Sequence, residues 1–503
     1  MRPLVWLRTL NPPAPCHTGM VKPGRASGIL LHPTSLPGRF GIGDLGPEAF
    51  RFADWLAEGG QTIWQVLPLG PVGYGESPYQ LFSVFAGNPM LIAPERLVER
   101  GWLAETDLAG VPRFAEERAQ FEQVVPWKIE LLRQAFARFH GGPEFDVFCR
   151  ENTAWLDDFA RFMALKEANG GISWREWNPA VEGEPRAVEF HKFLQFEFFR
   201  EWRELRTYCA NKGIAMMGDV AIYAAMDSAD VWSRPELFRF DVVAGVPPDY
   251  FSATGQLWGN PIYRWDRMRA EGYAWWVARM RAALDLFDRV RLDHFRGFEA
   301  YWQVPAHEKT ATHGAWVKGP GPDLFRVLEG ELGKLPLVAE NLGVITPEVE
   351  AIRRQFEFPG MTVLQFAFGN DPQADGFKPH NYVRNLVAYS GTHDNDTAVG
   401  WWRSQGGDST RTPEDVCREK NRARAYLNTD GAEIHWDLIR ALMASVADTV
   451  LFPMQDVLGL ASEARMNTPA TASGNWRWRM RPDAATPALA ARLGEMAKVY
   501  QRA

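Results

Sequence analysis

The most constraining feature of this chain is a series of short apolar runs, each ending in polar or turn residues and separated by helical patterns or long excursions. The runs are Gly28–His32, Ile63–Leu67, Ile214–Val220, Val290–His294, Leu337–Glu340, Thr362–Ala367, Asn385–Thr392 and Thr449–Gln455. Runs of this kind read as parallel strands buried on both faces. Helical patterning falls at Pro47–Ala57, Trp127–Phe139, Trp155–Ala168, Phe190–Cys209, Ala274–Phe287, Leu324–Leu332, Pro347–Phe356, Trp436–Val446 and Pro487–Val499. This alternation predicts an α/β fold, a (β/α)8 barrel of TIM type, because an open doubly wound sheet usually has fewer strands. Residues 28–503 are expected to form one barrel. Excursions at about 69–185 and 223–271 would be largely helical subdomains inserted at its catalytic end.

Charge and cysteine content narrow the function classes. The chain carries 62 acidic and 55 basic residues, a formal charge of -7, so no electrostatic footprint for nucleic acid or anionic lipid is present. Cys16, Cys149, Cys209 and Cys417 are dispersed and form no CxxC pair, which argues for a reducing compartment and against a zinc site. No apolar run reaches bilayer-spanning length. The first 27 residues lack the uninterrupted apolar core of a secretory signal, and Met20 offers a second start. They read as a disordered extension, and the expected location is the cytoplasm. Trp outnumbers Tyr, 21 to 12, alongside 31 Phe. Most of these rings fill core, yet flat apolar faces are also what a sugar-binding cleft needs.

In such a barrel, side chains at the carboxyl ends of strands face the active site. Asp219 ends the third run, Asp293 the fourth and Glu340 the fifth, while Asp394 follows the seventh. Glycoside chemistry needs two carboxyls in different protonation states, one as nucleophile or base and one as proton donor. Arg291 lies two residues before Asp293, on the same strand face, where a guanidinium favours an ionised carboxylate. It could equally be a barrel-lining salt bridge. Glu340 has Val338, Ala339 and Leu342 around it and no adjacent base, which suits a carboxyl kept partly protonated. His393 beside Asp394 can hold sugar hydroxyls while Asp394 complements developing positive charge. No second His or Cys stands at metal-ligand spacing around Gly391–Thr397, so no metal is expected. The GxGxxG match Gly41–Gly46 does not follow a strand directly, and it reads as a turn-rich loop.

Eight ordered blocks resemble the 4-α-glucanotransferases of glycoside hydrolase family 77, the amylomaltases or disproportionating enzymes. They are Gly28–Gly38, Trp64–Gly70, Gly73–Tyr79, Gly245–Phe251, Trp258–Pro261, Arg291–Gly297, Ala339–Gly343 and Gly391–Thr397. The resemblance implies a retaining transferase that moves α-1,4-glucan segments from a maltooligosaccharide to the 4-hydroxyl of another glucan or of glucose. Starch- or glycogen-derived glucans would be its partners, with no cofactor, in a monomer or weak homodimer. An α-amylase-like hydrolase is the alternative. By position, Asp293 matches the nucleophile, Glu340 the general acid/base and Asp394 the third acid. Arg291, His294 and His393 match groups that orient the nucleophile or hold the sugar. Asp219 matches a shared acid of the wider α-amylase clan. Tyr79, Tyr250, Phe251, Gln256, Trp258 and Asn467 match cleft positions, Tyr74 a more remote glucan contact, and Asp371 a sugar-binding acid. The sequence departs from the pattern at Asn341, where relatives can carry Asp, and at Thr468, where Tyr can occur.

Overall fold

A computed structural model describes residues 24–248, 252–406, 411–471 and 473–503. Twelve strands are found among them: β1 Ala26–Leu30, β2 Ile63–Gln65, β3 Ala215–Val220, β4 Phe238–Val246, β5 Gln256–Tyr263, β6 Arg289–Leu292, β7 Ala300–Pro305, β8 Ala315–Lys318, β9 Leu337–Ala339, β10 Gly360–Val363, β11 Leu386–Tyr389 and β12 Thr449–Pro453. Eight of them form one sheet in the order β10-β11-β12-β1-β2-β3-β6-β9. Every pairing in it is parallel. The seam between β9 and β10 is closed by the Ala339 N–H, which donates to the Pro359 carbonyl at 2.9 Å. Asn341 Oδ1 accepts from the Met361 N–H at 2.8 Å beside it. The expected (β/α)8 barrel is what the chain builds.

The barrel lumen is packed, not hollow. Ile63, Met217, Met361, Val363, Val387, Tyr389 and Leu451, drawn from five strands, belong to one buried cluster. A far larger cluster joins the outer strand faces to the surrounding helices. Close packing sets local sequence. A Cβ on Gly28 of β1 would lie 2.3 Å from the Ile63 carbonyl oxygen of β2.

β1 pairs in register with β12, Ala26 opposite Thr449. Arg502, fully buried, locks this junction. Its guanidinium donates to the carbonyls of Met443, Ala447 and Ser445 at 2.9 Å each, of Ala26 at 3.2 Å and of Leu442 at 3.3 Å.

Helices lie close to their predicted positions, for example Thr153–Ala168, Ala274–Leu286 and Pro487–Val499. Residues 69–185 are mostly helical, with Phe121–Arg138 and Pro143–Glu151 preceding Thr153–Ala168. The second excursion differs from the expected helices. It supplies the antiparallel pair β4–β5, which joins β7 and β8 in a separate four-stranded sheet ordered β5-β4-β7-β8. Two register shifts and Pro261 interrupt the β4–β5 ladder, so the period-two alternation that marks a strand is broken there. The run at Thr362–Ala367 also resolves differently. The strand ends at Val363, and Leu364–Phe368 winds into a 3-10 turn.

Candidate active site

Asp219, Asp293, Glu340 and Asp394 come together at the carboxyl ends of β3, β6, β9 and β11, where strand pairing sets their heights. The Asp293 N–H donates to Val220 at 3.0 Å, the Glu340 N–H to Leu292 at 3.1 Å and the Phe295 N–H to Glu340 at 3.0 Å. Three consecutive strand tips are thereby laced to one another.

Arg291 is the hub. Its Nη1 stands 2.9 Å from Asp293 Oδ1 and donates to both oxygens of Asp219, at 2.9 and 2.8 Å. The barrel-lining salt bridge and the guanidinium facing Asp293 are therefore one arrangement. Asp219 is buried, and burial raises its carboxyl above the usual range against the pull of Arg291. Tyr79 donates to Asp219 Oδ2 at 2.9 Å and stacks on the His393 ring at 5.2 Å.

Glu340 faces different surroundings. Burial pushes its carboxyl up to about 7, with the Asp293 charge adding to the rise and Arg291 opposing it. Its Oε2 accepts from the His294 N–H at 2.8 Å and its Oε1 from the Leu342 N–H at 2.9 Å. His294 takes left-handed backbone angles, φ 49° and ψ 50°, an uncommon conformation for a residue other than glycine. The turn aims the His294 amide at Glu340 and its ring at Trp258, edge to face at 4.8 Å. Burial lowers the His294 imidazole to about 4. Trp258 Nε1 in turn donates to Gln256 Oε1 at 3.1 Å.

Asp394 is bracketed on its other side. Asn467 Nδ2 donates to its Oδ1 at 2.6 Å, and His393 Nε2 lies 3.4 Å from its Oδ2. Protein packed around Asp394 opposes ionisation, yet His393 and Asn467 hold it well below the usual carboxylate range. Its side chain still keeps 47% of its surface open to the cleft. The His393 imidazole is raised: burial works against the charge and Asp394 outweighs it.

The remaining predicted residues divide. Asp371 accepts from the Gln373 N–H at 2.7 Å within its own turn. Tyr250, Phe251 and the Tyr74 side chain lie outside the described residues. The Gly41–Gly46 loop is held by buried Asp44, whose Oδ1 accepts from the Gly46 N–H and whose Oδ2 lies 3.6 Å from buried Lys128. That is a packing role. Sequence reading missed Gln65, which accepts from Tyr389 at 3.0 Å beneath the site. It also missed Arg465, two residues before Asn467. Among the described residues no group of three His, Cys, Asp or Glu is disposed to hold a metal ion.

A closed parallel barrel with one ion-paired carboxylate and one carboxyl of raised pKa at adjacent strand tips defines a class of enzyme equipped for glycosidic-bond chemistry. Comparison with known proteins gives the family. The 4-alpha-glucanotransferase profile matches residues 31–485. A 4-alpha-glucanotransferase of Synechocystis sp. is 48% identical over 95% of this chain and 98% of the relative. One from Thermus thermophilus is 48% identical over 95% and 99%. The amylomaltase of Streptococcus agalactiae, solved in complex with acarbose, superposes with a TM-score of 0.89 at 36% identity, covering 95% of this chain and 99% of that one. The chain belongs to the 4-alpha-glucanotransferase family.

Proposed function

We propose that this protein is a retaining 4-α-glucanotransferase that redistributes α-1,4-glucan segments by double displacement. One observation carries the assignment of roles: Glu340, raised to about 7, adjoins Asp293, which is paired with Arg291 at 2.9 Å. A proton donor and a nucleophile must differ in this way at one pH. Asp293 attacks the anomeric carbon of the donor as Glu340 gives its proton to the departing 4-oxygen. The 4-hydroxyl of an acceptor glucan or glucose then attacks the glucosyl-enzyme and returns a proton to Glu340, and Asp293 leaves. Asp394, kept ionised by His393 and Asn467, complements positive charge at the sugar ring in both transition states.

Gln256, Trp258, Tyr79 and the imidazoles of His294 and His393 supply the sugar contacts in this reading, and Tyr250, Phe251 and Tyr74 extend them. The substrates are maltooligosaccharides and starch- or glycogen-derived glucans, handled in the cytoplasm by a monomer or weak homodimer. Among the described residues no helix is long and apolar enough to cross a membrane. The barrel, which begins at Ala26 in β1 and not at Gly28, acts with its insertions as one catalytic domain through residue 503.

The test is incubation with maltotriose. Transfer produces glucose and a ladder of longer maltooligosaccharides with little gain in reducing ends. Hydrolysis produces a steady gain in reducing ends without the ladder. Asp293→Asn is expected to lower turnover by about a thousandfold or more, on the scale of other lost nucleophiles, while oligosaccharide binding by calorimetry persists. Near-parental turnover in this variant rejects the assigned roles.

A further inference from the structure

We propose that Arg465 is a positioning residue for Asp394, fixing the third acid by a fork that holds two main-chain carbonyls. The proposal deepens the reading of Asp394 given above and rests on it.

Asp394 stands in the loop between β11 and the helix Ala398–Arg403, with no ladder partner of its own. The Asp394 N–H donates to Thr392 Oγ1 at 3.3 Å within the loop, and the segment 465–467 meets His393 and Asp394 at three further points. The Asn467 N–H donates to the His393 carbonyl at 3.0 Å, Asn467 Nδ2 to Asp394 Oδ1 at 2.6 Å, and Arg465 Nη2 to the Asp394 carbonyl at 2.7 Å. Arg465 Nε donates to the Asn467 carbonyl, also at 2.7 Å. One planar guanidinium thus ties the backbone of the acid to the backbone of the residue that grips its carboxylate.

The segment is itself fastened to the barrel. Gln455, just past β12, donates to the Ala464 carbonyl at 3.2 Å, and the Arg465 N–H donates to Ser462 at 3.1 Å. Arg465 also lines a small pocket shared with His32 and His393. Other bonds hold the rest of the loop, with Gln365 Nε2 donating to the Asp396 carbonyl at 2.9 Å and Ser462 Oγ to Asp396 Oδ2 at 2.6 Å, so the guanidinium governs the placement of Asp394 and not the folding of the loop. Arg suits the task because its planar fork presents parallel N–H groups, which a lysine ammonium cannot match. A displacement of about 1 Å at a transition-state contact costs on the order of a hundredfold in rate. Arg465 sits behind the acid and spends its described bonds on protein carbonyls, so it acts through Asp394.

The experiment compares Arg465→Met, Arg465→Lys and Asp394→Asn in the full chain. Turnover is read on maltotriose and on an α-maltosyl fluoride donor, together with Tm. The Met variant is expected to lose about 10- to 100-fold in kcat on both donors, with KM within about twofold and Tm near parental. The Lys variant, able to reach one carbonyl, falls between. Combined with Asp394→Asn, the Met substitution adds little further loss. Met-variant kcat within twofold of parental, a change confined to KM, or Met and Lys variants losing Tm and kcat alike would overturn the proposal. Full activity of Asp394→Asn alone would instead reject the role of Asp394 on which the proposal stands.

Discussion

Glu340 illustrates how much of the chemistry is decided within one residue's surroundings. Two backbone amides donate to its carboxylate, which favours the charged form, yet burial prevails and the carboxyl rises to about 7. A general acid must hold its proton when substrate arrives, so activity is retained below this value and lost above it. In a pH series of kcat/KM on maltotriose, the alkaline limb is expected to bend near pH 7 and then fall about tenfold per pH unit. A flat profile to pH 9 would show that the free-enzyme ionisation of Glu340 does not control the reaction. Asn341 next door accounts for one departure from the family pattern. Its Nδ2 donates to Glu350 at 2.7 Å while its Oδ1 closes the barrel seam, so the amide serves two partners that a carboxylate could not serve together.

At the scale of elements, the long helix Pro185–Asn211 carries a cost worth measuring. Glu197 on this helix is fully buried, and neither carboxylate oxygen has a hydrogen-bond partner. Arg100 and Arg200 stand 3.4 Å away, but burial outweighs them and raises the carboxyl to about 7. A folded-state pKa above the unfolded value gives stability that is present at low pH and lost as pH rises through 7. Glu197→Gln is therefore expected to match the parent in urea unfolding at pH 4, below the ordinary carboxyl range, and to exceed it by about 1–3 kcal/mol at pH 8. Equal midpoints at both values would contradict this account. Elements also differed in how legible they were. The barrel strands were readable because burial on both faces leaves short apolar runs, as in Leu337–Ala339. β4 and β5 were not, since their bulges and Pro261 erase alternation. Of the site, the strand-tip acids were readable from position, whereas Arg465 and Gln65 act through contacts between segments 71 and 324 residues apart. No local pattern announces such pairs.

The whole molecule depends on joining its two ends. Arg502 serves six carbonyls from β1 and the segment 442–448. Arg502→Met would remove a donor from each of these buried carbonyls, and a loss of about 3 kcal/mol or more is expected in urea unfolding. Activity per folded molecule should stay unchanged, because the junction lies at the opposite end of the strands from the acids. A parental midpoint would mean that water replaces the guanidinium at little cost.

The β1–β12 pairing has a further consequence for a nascent chain. Ala26 leaves the ribosome more than four hundred residues ahead of its neighbour Thr449. At about 5–20 residues per second, β1 must wait roughly twenty seconds or longer with one flank open. During synthesis the incomplete barrel is therefore a curled sheet with a sticky apolar edge, and the yield of intact protein in a cell depends on what shields that edge until translation is nearly done.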